Sequence, residues 1–256
     1  MQGVGFNLLI VGTLMSTEMT IVGPGRYRPL FRGGEKAETV DIKPFWLDRL
    51  PVTQGQFLDF VRMNPEWQKG HVPSLFADER YLSDWRTETD LGNPDKQHQP
   101  VVWVSWFAAR AYCQNRKARL ATEQEWEFAA AASDKAVDGR NDPLWLQTIL
   151  SWYSKPADDE PIEVGESRSN VWGIYDLHGL IWEWIDDLPS IMVGGDSREN
   201  GGGDKQQFCG AGAANAQDKS DYANFMRAAF RASLTARSTA KRLGFRCARN
   251  FDRKGF

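Results

Sequence analysis

Eleven tryptophans and 23 glycines among 256 residues constrain this chain more than any other feature. A tryptophan ring buries a large apolar surface but carries an N–H that needs a partner once it leaves water. Glycine opens backbone conformations that other residues avoid. Together they predict a core filled by large rings and held by loops and short elements, not by long helices. The length suits one large domain or two small ones and allows a substantial buried core. Hydrophobic residues make up 41% and charged residues 25%, as in globular domains, and the net charge is −3. No basic stripe stands out, which argues against nucleic acid as a partner.

The apolar run from Phe6 to Met15 has no Lys or Arg before it and is too short to span a bilayer. It is a poor secretory signal, and residues 1–19 are read as an N-terminal extension (a strand, a signal remnant or the result of an upstream start) before a domain covering 20–256. No other stretch reads as a transmembrane segment. Thr20–Tyr27 reads as a strand with a Gly-Pro-Gly turn, and Val40–Leu47 alternates as a half-buried strand does. Thr53 is placed to cap a helix from Gln54 to about Met63, with Phe57, Leu58 and Val61 on one face. Residues 66–100 carry Trp67, Phe76, Tyr81 and Trp85 among Pro, Asp and Asn, which predicts a long ordered loop.

Ser105 caps a helix to about Asn115. Thr122 and Glu125 make a capping box for a helix through Ala132, and Asp142-Pro143 opens another carrying Leu144, Trp145, Ile149 and Leu150. From Val164 onward helical periodicity stops, and strands with long loops are expected. Helices early and strands late, without βαβ alternation, indicate an α+β fold. No repeat or Ser/Pro-rich linker divides the chain, so a single domain is expected. The three cysteines, Cys113, Cys209 and Cys247, form no CxxC pair. Cys113 falls among alanines and aromatics on a predicted helix, the setting of a buried reduced thiol.

Four blocks then carry a resemblance: Pro44–Phe60 (PFWLDRLPVTQGQFLDF), Pro100–Ala130, Trp172–Trp184 with its GIYDLHGLIWEW run, and Phe225–Arg249 with LGFRC. In order and spacing they resemble the sulfatase-modifying-factor family, which includes the formylglycine-generating enzyme. The resemblance implies a C-type-lectin-like α+β fold with little regular secondary structure. Phrases such as LFADERYL, SWFAARAYC and FCGAGA resemble a bacterial subgroup. It holds accessory proteins of copper nitrite reductases and of the type VI secretion threonine-phosphorylation pathway.

The family's calcium site, carried over residue by residue, falls on Asp176, the carbonyls of Gly179 and Ile181, and Glu183. All-oxygen ligation with two carboxylates suits that ion. A purely structural alternative has Asp176 capping a turn and Glu183 pairing with an arginine. A weaker second cation site would use Asp196, Glu199 and Asp204 in the stretch GGDSRENGGGD, which otherwise reads as a surface loop. Asp158, Asp159 and Glu160 read as a solvated charge run.

The family's oxidase holds copper with two thiolates, as that soft ion requires. Counted back from Gly244-Phe245-Arg246, those positions are Asp218 and Ala223, and only Cys209 lies nearby. Copper and formylglycine synthesis are therefore not expected. None of the three histidines (His71, His98 and His178) has a partner at ligand spacing, and His178 reads as a hydrogen-bonded turn residue. The family position of the pocket implies a lining of Trp182, Asp218, Tyr222, Arg227 and Arg231, with Cys209 close by. Arg231 suits bidentate binding of a carboxylate or a peptide carbonyl; its structural alternative is a pair with Glu183 or Asp218. Trp182 reads as core.

The function implied is a calcium-binding accessory protein that grips a protein or peptide partner. The alternatives are an oxidase of the same superfamily with a different metal centre, acting on a peptide or siderophore-type substrate, and a lectin-like binding module. Calcium use favours the periplasm over the cytoplasm.

Overall fold

The computed structural model describes residues 18–28, 39–153, 161–187 and 219–252. Its organising element is a four-stranded antiparallel sheet of order β1-β4-β8-β5. These strands are β1 Met19–Val22, β4 Phe45–Asp48, β8 Cys247–Asn250 and β5 Arg119–Leu120. β4 pairs with β8 in the register Phe45↔Asn250 and Leu47↔Ala248, so the first and last resemblance blocks lie side by side. A separate antiparallel pair joins β2 Gly25–Tyr27 to β3 Val40–Ile42. The segment expected to be one strand over 40–47 is thus two strands, because Lys43-Pro44 interrupts it and each half pairs elsewhere. In 20–27 the expected Gly-Pro-Gly turn separates β1 from β2 at Gly23-Pro24. Gly25 is needed where it stands: a Cβ there would lie 2.3 Å from the Phe128 ring.

The helices begin where local chemistry starts them. In α1, Gln54–Met63, the Thr53 side chain accepts from Gln56 N while the Gln56 side chain accepts from Thr53 N. This reciprocal pair satisfies two N–H groups that a helix start otherwise leaves open. Ser105 caps α2, Trp106–Asn115, and Thr122 with Glu125 boxes α3, Glu123–Ala130. The last ends two residues before the expected boundary at Ala132. α4 runs Pro143–Tyr153, with the Asp142 carboxylate accepting from Leu144 N. The loop over 66–100 is ordered and includes two 3-10 turns, Pro65–Trp67 and Pro94–His98.

One expectation fails clearly. Beyond Val164 the chain forms a further helix, α5, Lys219–Ser233. Its inward face carries Ala223, Arg227, Phe230 and Arg231, the spacing of one helical face. Two of those positions are arginines, so the apolar period is broken in the sequence although the face is buried.

The core is aromatic. Phe57 has the rings of Phe60, Trp85, Tyr112 and Phe245 within 5.4–6.3 Å of its own centroid. Such pairs contribute about 0.5–1.5 kcal/mol each beyond the area they bury. Tryptophan N–H groups also pin the chain: Trp106 Nε1 donates to the Ile185 carbonyl at 2.8 Å and Trp184 Nε1 to that of Val104 at 2.9 Å.

Cys113 is not a free thiol. It forms a disulfide with Cys247, with Cα atoms 5.5 Å apart, and so staples α2 to β8. Among the described residues no helix is long and apolar enough to cross a membrane.

Candidate functional site

The two most distinctive sequence segments meet directly. β6, Trp182–Glu183, and β7, Leu243–Gly244, form a short parallel pair with Trp182 opposite Leu243 and Glu183 opposite Gly244. Gly244 permits this approach, because a Cβ there would sit 2.2 Å from the Val101 carbonyl oxygen, a backbone atom with no room to move aside. The pairing brings Glu183 against Arg246. The Arg246 Nε lies 2.8 and 3.0 Å from the two Glu183 oxygens, and its Nη2 lies 2.8 Å from Oε1. Trp126 Nε1 donates to Glu183 Oε2 at 2.7 Å. Arg246 also donates to the carbonyls of Asp48, Arg49 and Tyr175. Both side chains of this ion pair are about 1% exposed.

A second buried ion group lies beside it and ties α3 to α5. Glu127 accepts from Arg227 Nε at 2.8 Å and Nη2 at 2.6 Å, and from Arg231 Nη1 at 2.7 Å. Arg231 Nη1 also reaches Glu123 Oε1 at 3.2 Å. Both guanidinium carbons approach the Trp126 ring, at 5.5 and 5.1 Å from its centroid, within cation–π range. Burial alone would raise the Glu127 carboxyl, but the two arginines outweigh it and hold the group at about 2. Of the two partners in the structural alternative for Arg231, Glu183 is not the one used, and Asp218 lies outside the described residues. Glu183 is taken by Arg246, and Arg231 bonds Glu127 and Glu123.

Asp176 adopts a left-handed backbone conformation, φ 60°, in which aspartate is tolerated. Its carboxylate accepts from Gly165 N at 2.5 Å and Ser167 N at 3.4 Å. It thus closes a turn, as Glu183 pairs with an arginine. Both are the contacts of the purely structural alternative. The carbonyl oxygens of Gly179 and Ile181 accept no hydrogen bond from the described residues. The donor set thus fits a hard cation in part: Asp176 and two carbonyls retain lone pairs, while Glu183 already has a counter-charge. Among the described residues no group of three or more His, Cys, Asp or Glu side chains gathers around one point.

His178 sits in the turn after Asp176, with Nε2 2.8 Å from the Ala130 carbonyl. Burial first, and Arg227 second, push it down to about 4. The ring is then neutral near pH 7, with Nε2–H as donor to that carbonyl.

Between β6 and α5 lies a cleft lined by Trp126, Trp152, Trp182, Phe230, Arg227 and Arg231, with Asp187 also on its wall. Of the residues expected in the pocket, Trp182, Arg227 and Arg231 do come together here. Trp182 is half-buried and stacks on Phe230 at 4.3 Å, so it is a wall as well as core. Tyr222 belongs to α5; its side chain, together with Asp218, Cys209, Asp196, Glu199, Asp204 and the run 158–160, lies outside the described residues. Sequence reasoning missed Glu127 and Arg246 as the partners that organise the site. The TxxExE spacing of Thr122, Glu125 and Glu127 was the available signal for Glu127, but only its Thr122–Glu125 part has a local reading.

A family profile described as the sulfatase-modifying factor enzyme 1-like domain matches residues 12–251. The chain is 30% identical over 275 residues to the Mus musculus protein named inactive C-alpha-formylglycine-generating enzyme 2, covering 90% of this chain and 83% of that one. It is 27% identical over 274 residues to the formylglycine-generating enzyme of Streptomyces coelicolor, covering 86% and 82%. Among solved structures, PvdO from Pseudomonas aeruginosa shares the fold with a TM-score of 0.53 at 17% identity, covering 91% of this chain and 94% of that one. One of these relatives is named as a formylglycine-generating enzyme and the other as an inactive one, so the names do not decide activity for this chain. With the profile spanning both segments that pair as β6 and β7, this chain belongs to the sulfatase-modifying factor enzyme 1-like, or formylglycine-generating-enzyme, family.

Proposed function

We propose that this protein is a formylglycine-generating-enzyme-like accessory protein, which binds a protein or peptide partner in the Trp182–Arg231 cleft and does not oxidise a thiol by the copper route. One observation carries the reading: at the second of the two positions where the oxidase needs a thiolate stands Ala223, a buried residue of α5. A methyl group offers no atom to a metal, and a single thiolate elsewhere does not make a two-thiolate site. What the cleft keeps is aromatic wall and guanidinium donors, groups suited to gripping a ligand. Under this reading residues 20–256 form one C-type-lectin-like domain. Its setting is the bacterial one suggested by the subgroup phrases, metalloenzyme maturation or type VI secretion signalling. Affinity capture with crosslinking through the cleft is expected to recover one specific protein. Recovery of none, or oxygen uptake driven by a thiol peptide, would overturn the reading.

Calcium is part of the proposal, held by Asp176 and the carbonyls of Gly179 and Ile181, with Glu183 shared between the ion and Arg246. Bound calcium would brace the turn before β6. At a hundredfold excess over its dissociation constant a ligand adds about 2.7 kcal/mol, which for a chain of this size raises Tm by about 5–10 °C. Millimolar calcium should produce that shift in the native protein and not in Asp176→Ala. An unchanged Tm in the native protein would remove calcium from the proposal.

The Cys113–Cys247 disulfide supports the periplasm, since such bonds persist in oxidising compartments. In protein taken from its native cell and alkylated after denaturation without reductant, both cysteines should escape labelling. Quantitative labelling of both would favour the cytoplasm.

A further inference from the structure

Arg231 is only half used. Its Nη1 donates to Glu127 and Glu123, while among the described residues neither Nε nor Nη2 has a hydrogen-bond partner. Its neighbour one turn earlier, Arg227, commits both Nε and Nη2 to Glu127. Arg231 is nonetheless withdrawn from water, with 11% of its side chain exposed, and it lines the cleft. A guanidinium held in place by one nitrogen, with its other edge facing the cleft and not fully buried, is the arrangement that a planar anion completes, because the two parallel N–H groups match a carboxylate.

Glu127 stands between two arginines, and burial raises its neighbour Glu123 although Arg231 lies beside it. The other carboxylates on the cleft wall are engaged: Glu183 by Arg246, and Asp187 by the N–H of Glu123. Asp187 also disfavours a second negative charge on the ligand, which selects a monoanion. The residue before Arg231 is Phe230, whose ring stacks on Trp182, so an apolar surface adjoins the open edge.

We infer that the Nε–Nη2 edge of Arg231 binds a single carboxylate flanked by an apolar group, on a peptide that enters the cleft. The inference rests on the peptide-binding reading above. The carboxylate can belong to a chain terminus or to a side chain.

The test is calorimetric titration of the full chain with three probes: N-acetyl-Gly-Phe as the free acid, the same peptide as its C-terminal amide, and N-acetyl-Asp-Phe-amide. At least one acid should bind tenfold or more tightly than the neutral amide. Which of the two acids does so tells a terminus from a side chain. Arg231→Gln should bring the acids down to the level of the amide, and Arg231→Lys should restore part of the difference. The comparison within the native protein requires no variant, so a misfolded substitution does not spoil it. Equal binding of acid and amide overturns the carboxylate contact and leaves peptide binding standing. Binding of none of the three at millimolar concentration overturns the contact, and the partner capture then judges the peptide reading separately. Tight acid binding with no partner captured would keep the contact and sink the reading.

Discussion

Replacing Arg246 with methionine should destabilise this protein by about 3–5 kcal/mol, because it leaves Glu183 charged and without its partner in the interior. Among the described residues Arg246 is the largest of the fully buried side chains, and its ion pair with Glu183 is shielded from solvent on both sides. It also bonds the carbonyls of Asp48, Arg49 and Tyr175, so the end of β4, the segment before Asp176 and β6 all converge on one guanidinium. Methionine is unbranched and fills most of the space that the aliphatic stem occupies, but it supplies no donor. Urea unfolding followed by fluorescence measures the loss. The double variant Glu183→Gln, Arg246→Met should be more stable than Arg246→Met alone. The amide removes the uncompensated charge yet still accepts from Trp126 Nε1. A cost below about 1 kcal/mol for the single variant would mean that water reaches the site and the pair is not truly buried.

Glu127→Gln should cost about 3–5 kcal/mol for the mirror-image reason: two buried arginines lose the charge between them. It should also change the response to acid. Folding lowers the Glu127 carboxyl from 4.5 to about 2. A group depressed in this way contributes stability that is fully present above its unfolded value, and loses it as pH falls through the folded one. That contribution is roughly 3 kcal/mol, from about 1.4 kcal/mol for each unit of displacement. The native protein should therefore lose stability between about pH 4.5 and pH 2, and Glu127→Gln should show a shallower decline over that window. Parallel curves for the two proteins would show that Glu127 is not the group that titrates. Because α5 is anchored to α3 through this carboxylate, hydrogen exchange in α5 should also rise in the variant.

The helix starts at Thr53, Ser105 and Thr122 were readable in the sequence because each cap closes within three residues of itself. The ordered loop over 66–100 was readable from its rings, of which Tyr81 and Trp85 are buried in the core. The importance of GIYDLHGLIWEW and LGFRC was visible as resemblance, but their parallel pairing was not. What the tertiary structure alone decided are the long-range choices. Glu183 takes Arg246 at 63 residues' separation, not Arg231, and Glu127 takes Arg227 at 100. Cys113 meets Cys247 across 134 residues because α2 packs on the sheet that holds β8, although its local surroundings are those of a reduced thiol. α5 went unread because its buried face is built from arginines that a distant glutamate neutralises. Caps and turns depend on residues a few positions away and are written locally. An ion pair or a disulfide depends on which segments the fold brings together, and only the folded chain specifies that. The carboxylate-ready edge of Arg231 belongs to the second kind, since it exists only because Glu127 holds the other side of the same guanidinium.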